Sequence, residues 1–140
     1  MPANSTSARL AAYQSAASQG AAAEADAHRL IWLLMDGALD RIAMARGCME
    51  RGEITQKAAL LHRVVAIVDE LKASLNLQAG GLIAANLDSL YVYISQRVML
   101  ANLENRVDLL DECAKLLRPI RDAWVTIAPQ ARAFLQVGAP

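Results

Sequence analysis

The sequence predicts an all-α protein: an antiparallel up-down four-helix bundle, preceded by a mobile N-terminal arm and followed by a short C-terminal extension. Three observations lead there. Hydrophobic residues make up 55% of the 140 residues while aromatic ones make up only 4%. The apolar mass is therefore Ala, Leu, Ile, Val and Met, the side chains of helix–helix packing. Apolar positions recur at steps of three and four along four stretches of about 20 residues. Gly80-Gly81 is the one glycine doublet, and β-rich runs joined by hairpin turns are missing. A chain of this length can bury about two-thirds of its unfolded surface without a disulfide or metal staple.

Residues 1–25 are mostly Ala, Ser, Gln and Asn, with Leu10 and Tyr13 as the large apolar exceptions. Such a segment buries too little to fold alone and reads as a mobile arm. The bundle is expected over residues 26–128 and a tail over 129–140. Helix 1 should run from Asp26, a good cap, to Met49, with a seam of Ile31, Met35, Ala38, Ile42, Ala45 and Met49. Helix 2 should follow an N-cap at Thr55 and reach Leu77, with Leu61, Val64, Val68, Leu71 and Leu75 inward and Leu60 and Ile67 widening the stripe. Gly80-Gly81 should supply its C-cap and the turn that follows.

Helix 3 should cover Leu82 to Asn102, packing Leu87, Tyr91, Ile94, Val98 and Ala101. Helix 4, capped by Asn105, should pack Leu110, Cys113, Leu117, Ile120, Trp124 and Ile127. Pro119 lies inside that pattern and removes one helix hydrogen bond. The seam stays in phase across it, which predicts one kinked helix ending near Pro129. Phe134, Leu135 and Val137 are the large apolar residues of the tail.

Charge and motif content exclude several functions. Lys+Arg and Asp+Glu are both 14, and no basic block stands out, which argues against nucleic acid and anionic membrane surfaces. No apolar run reaches the ~18 residues of a membrane span. The polar N-terminus lacks a signal-peptide core. Cys48 and Cys113 have no spacing motif, so they read as reduced, partly buried fillers in a cytoplasm. His28 and His62 follow Ala25 and Ala59 at the position where a bundle metal site would place Glu. No metal, cofactor or catalytic residue is expected. His62 in mid-helix raises a phosphotransfer module as a minor alternative, but no lysine–glycine pair follows it to support a phosphoryl group.

Tyr91 and Tyr93 differ by about 200° around a helix, so Tyr91 should face inward while Tyr93 faces out or lines a groove. Leu30, Leu33, Leu39, Leu77, Leu90, Val92, Met99, Leu100 and Leu109 are apolar positions outside the seams. Some must widen the core, but the surplus predicts uncovered hydrophobic surface and therefore a partner. The same surplus suits a self-associating helical adaptor whose interface is a homodimer.

Four blocks then stand in a telling order: LLMDGALDRI (Leu33 to Ile42), IVDELKASLN (Ile67 to Asn76), GGLIAANLDSLYVYISQRVMLAN (from Gly80) and LLRPIRDAW (Leu116 to Trp124). Together they resemble the flagellar secretion chaperone family FliS. The third block is the most specific. Departures are Met35 in place of a usual tyrosine, Asp26-Ala27 in place of a Ser-Pro start, Pro119, and the tail after Ile127.

The resemblance implies a non-enzymatic cytoplasmic chaperone. It would bind the C-terminal segment of flagellin along hydrophobic grooves, prevent premature polymerisation and present the client to a component of the flagellar type III export gate. It also implies that an N-terminal arm bearing a tyrosine lies over part of the groove, a place matched by Leu10 and Tyr13. The expected partner contacts are Leu10, Tyr13, Leu77, Ile83, Asn86, Leu87, Tyr91, Ile94 and Val98. For Asn86 two roles stay open: a hydrogen bond to client backbone, or a cap or brace for the interhelical turn.

Overall fold

The computed structural model describes residues 2–127. They form four helices: α1 (Pro2–Arg51), α2 (Ile54–Ala73), α3 (Leu77–Glu104) and α4 (Val107–Thr126). No strand occurs among the described residues. Helices α1 and α3 each pack against both α2 and α4, and neither α1 with α3 nor α2 with α4 makes contact. The result is an all-α bundle in which each helix touches its two neighbours around one core.

The first helix is much longer than expected. It begins at Pro2 rather than Asp26, so α1 has 50 residues and is about 75 Å long at 1.5 Å per residue. The expectation was set by the lack of apolar residues to bury. It underweighted local propensity: ten of residues 2–25 are alanine, the strongest helix former, and proline is well placed at a helix start. Residues 6–12 are exposed, and α1 joins the core only from Ala27 and Ile31 onward.

Two helix junctions also differ. Helix α2 starts two residues earlier than expected, after Glu53, which makes no side-chain cap bond. The preceding turn is closed by backbone: Gly52 has a positive φ of 72°, and Glu53 N–H donates to the Cys48 carbonyl at 2.9 Å. Helix α2 then ends at Ala73, before the glycine doublet. Asn76 starts α3 because its side chain accepts from Ala79 N–H at 3.0 Å.

Gly80-Gly81 therefore sits inside the first turns of α3 as a kink, with Gly81 at φ 56°, ψ −136°. That conformation is open essentially to glycine alone. Asn105 does not cap α4. It closes α3 in the left-handed region at φ 54°, ψ 51°, a role that suits asparagine. The buried Lys57 braces the same end, its Nζ donating to the Asn102 carbonyl at 3.0 Å and to Asn105 Oδ1 at 3.1 Å. Helix α4 runs unbroken through Pro119. Pro129, its expected terminator, lies outside the described residues.

The seams are where the sequence places them. Ile31, Met35, Ala38, Ile42, Ala45 and Met49 of α1 are buried, as are Leu61, Val64, Val68, Leu71 and Leu75 with Ile67 from the second stretch. Tyr91, Ile94, Val98 and Ala101 join them from α3, and Leu110, Cys113, Leu117 and Trp124 from α4. Ile120 and Leu87 are half-buried, and Ile127 is exposed. Both cysteines are buried and free.

Helices α1 and α4 are joined along their length. His28 Nε2 lies 2.8 Å from the Trp124 carbonyl, and Trp124 Nε1–H donates to the His28 carbonyl at 2.9 Å. The two rings stack with centroids 5.1 Å apart. Arg121 pairs with Asp36, and Arg46 with Asp111 at 2.8 Å. Partners ascending along α1 descend along α4, so these two helices run in opposite directions.

Candidate functional site

The described residues hold no group of His, Cys, Asp or Glu suited to a metal ion, and no helix among them is long and apolar enough to cross a membrane. What the surface does offer is exposed aliphatic area, concentrated around α3. Of the off-seam positions, Leu109 is buried and Leu39, Leu90 and Leu100 are half-buried against the core. Leu30, Leu33, Leu77, Val92 and Met99 are exposed, together with Leu82, Ile83 and Leu103. The helix period explains the division: α3 carries apolar residues on more of its circumference than a single seam can absorb.

Two grooves flank α3. The larger, of about 770 Å³, lies between α2 and α3 and is lined by Leu61, His62, Val65, Ala66 and Asp69 on one side and Gln96, Val98, Met99, Leu100, Asn102 and Leu103 on the other. Its volume falls within the range of about 300–1,000 Å³ typical of ligand sites. Met99 is 60% and Leu103 83% exposed, so the α3 wall of this groove presents bare aliphatic surface. Among the described residues Asp69 forms no ion pair and stands at the edge of this surface. His62 is exposed on its rim.

The smaller groove, of about 290 Å³, lies between the first part of α3 and the last turns of α4. Ile83, Leu87, Pro119, Ile120, Ala123, Trp124 and Ile127 line it. Every one of these side chains is apolar. Pro119 thus faces outward into a groove.

The expected contact residues divide between surface and core. Leu77, Ile83 and Asn86 are exposed, and Leu87 is half-buried in the smaller groove. Asn86 makes no side-chain hydrogen bond among the described residues, and the cap at this junction is Asn76. Tyr91, Ile94 and Val98 are buried in the core, with Val98 also reaching the floor of the larger groove. Burial pushes the Tyr91 phenol up to about 12. Leu10 is exposed on the first part of α1. The Tyr13 side chain lies outside the described residues.

Tyr93 does face outward. Its hydroxyl donates to Glu112 at 2.8 Å and accepts from Arg97 Nε at 2.9 Å, while Arg97 also reaches Glu112 at 3.0 Å. The Arg97 guanidinium lies 5.2 Å from the Tyr93 ring centre. This network ties α3 to α4 and leaves the ring at the surface. The α4 wall of the smaller groove and the Val65, Met99 and Leu103 surface were not singled out as contacts from sequence. The available signal was the off-seam aliphatic pattern, which reveals surplus surface but not which neighbouring helix completes a groove.

Comparison with known proteins gives a consistent result. Residues 9–131 match the family model described as flagellar protein FliS. The chain is 41% identical to flagellar secretion chaperone FliSB of Pseudomonas aeruginosa over 112 residues, 80% of this chain and 89% of that protein. It is 37% identical to flagellar secretion chaperone FliS of Salmonella typhimurium, covering 90% of this chain and 94% of that one. The corresponding protein of Vibrio cholerae is 31% identical over 86% of this chain and 89% of its own length.

Proposed function

The chain belongs to the FliS family, and we propose that it is a cytoplasmic export chaperone for flagellin. The family is one of chaperones and not of enzymes. In this reading the protein binds the C-terminal segment of flagellin, keeps it from polymerising early and delivers it to the flagellar type III export apparatus. The scaffold is an antiparallel up-down bundle, a reading supported by the opposed run of α1 and α4 and by connections of only two or three residues between helices.

The single observation that carries the proposal is the uncovered aliphatic surface on both sides of α3. An amphipathic client helix can lay residues spaced i, i+3/i+4 and i+7 into such a groove. Leu77, Ile83, Asn86 and Leu87 supply surface contacts, with Asn86 free to hydrogen-bond client backbone. Tyr91, Ile94 and Val98 hold the α3 wall from beneath. Leu10, on the first part of α1, and Tyr13 are proposed as further client contacts. Calorimetric titration with a flagellin C-terminal peptide tests the proposal. Saturable heat with a negative heat-capacity change is expected, and no heat at tens of micromolar peptide contradicts it.

A further inference from the structure

We propose that the larger groove selects among helical clients by charge: Asp69 favours an amphipathic helix that carries Lys or Arg one turn beyond its apolar residues. The inference deepens the reading above and rests on it for the kind of partner, a segment docked as a helix. The dimensions of the groove fit such a segment. Its α2 wall runs from Leu61 to Asp69 and its α3 wall from Gln96 to Leu103, about 10–12 Å at 1.5 Å per residue. Apolar residues at i, i+3/i+4 and i+7 of a client helix span about 10 Å. Two client turns therefore fill the groove, and the flanking turn meets whatever stands at its ends.

The two ends differ. Lys57 at the start of α2 is held to Asn102 and Asn105 at the end of α3, and a short link joins the end of α2 to the start of α3. These two helices therefore run in opposite directions. His62 and Asn102 stand at one end of the groove, and Asp69 and Gln96 at the other. Of the lining residues Asp69 alone is a carboxylate, and none is Lys or Arg. Asp69 is exposed and forms no ion pair among the described residues. The nearest cation along α2, Lys72, follows one turn later, outside the lining. A flanking Lys or Arg on the client supplies the charge that Asp69 lacks. A flanking Asp or Glu meets like charge, with no cation on either wall to offset it. A charge at the edge of an apolar contact acts in this way mainly on the choice of partner.

The test uses two designed helical peptides of about 18 residues, long enough to hold a helix, and no flagellin. Both carry leucine at i, i+4 and i+7. One has Lys and the other Glu one turn beyond each end of that triplet, so either direction of docking presents the charge to Asp69. Fluorescence anisotropy gives their affinities for the full chain. Wild type should bind the Lys peptide about fivefold tighter, since an exposed pair contributes modestly and repulsion adds to the difference. Asp69→Lys should reverse the preference. Glu70→Lys, the same change of net charge beside the groove but outside its lining, should leave it in place. Equal affinities overturn the proposal, as does a preference that survives Asp69→Lys or that Glu70→Lys removes equally well. In those cases both peptides still bind, and the groove remains a helix site without charge selection. Binding of neither peptide also overturns the proposal, while the flagellin titration judges the chaperone reading separately.

Discussion

Trp124 joins two roles in one side chain. Its indole N–H and backbone carbonyl bind His28 on α1, while its ring lines the smaller groove. Trp124→Phe keeps an aromatic ring but loses the donor to the His28 carbonyl. A loss of about 1–2 kcal/mol is expected, read as a lower urea midpoint. Tyr91 and Cys113 make a separate case. Burial pushes the phenol from 10.0 to about 12 and the thiol from 9.0 to about 12. Both folded values lie above the unfolded ones, so the stability they contribute is complete below pH 9 and lost as pH rises toward 12. The urea midpoint should fall across that window, and Cys113→Ala should make the fall shallower.

At the scale of elements, glycine marks the difference between helix and kink. Gly81 has φ 56° and Gly20 lies within the long α1, yet a Cβ at either position would meet nothing within 4 Å. Backbone preference alone should therefore decide the two substitutions. Gly81→Ala should cost about 1–3 kcal/mol in thermal or urea unfolding through strain. Gly20→Ala should raise helix content measured by circular dichroism, since alanine is favoured by about 1 kcal/mol in a helix.

The same residues show what the sequence discloses about elements. The seams of all four helices were legible because burial follows the helical period directly. The junctions were less so, because Asn76, Gly81 and Asn105 are each plausible in more than one capping role, and only the path of the backbone selects among them. The start of α1 was misplaced because alanine content and absence of burial point in opposite directions.

For the whole molecule, the sequence showed that apolar surface would be left over, and it does lie outside the core at Leu30, Leu33, Ile83, Met99 and Leu103. It did not show how that surface is partitioned. Val98 and Met99 are adjacent in sequence, yet one is buried and the other stands on a groove wall. Which residues form a shared concavity depends on the rotation of α3 between α2 and α4, information that only packing supplies. For this reason Tyr91, Ile94 and Val98, placed by the sequence both on the inward seam and among the contacts, lie in the core, while Val65 and Leu103 went unremarked.

The central claim is that this exposed aliphatic surface along α3 is where a flagellin segment binds. The most direct measurement is the affinity of the flagellin C-terminal segment for Met99→Glu, on the α3 wall of the larger groove, beside Ile54→Glu, an equally exposed aliphatic site at the start of α2. The account predicts that Met99→Glu weakens binding about tenfold or more, about 1.4 kcal/mol, while Ile54→Glu binds as wild type. Wild-type affinity in a folded Met99→Glu protein would contradict it.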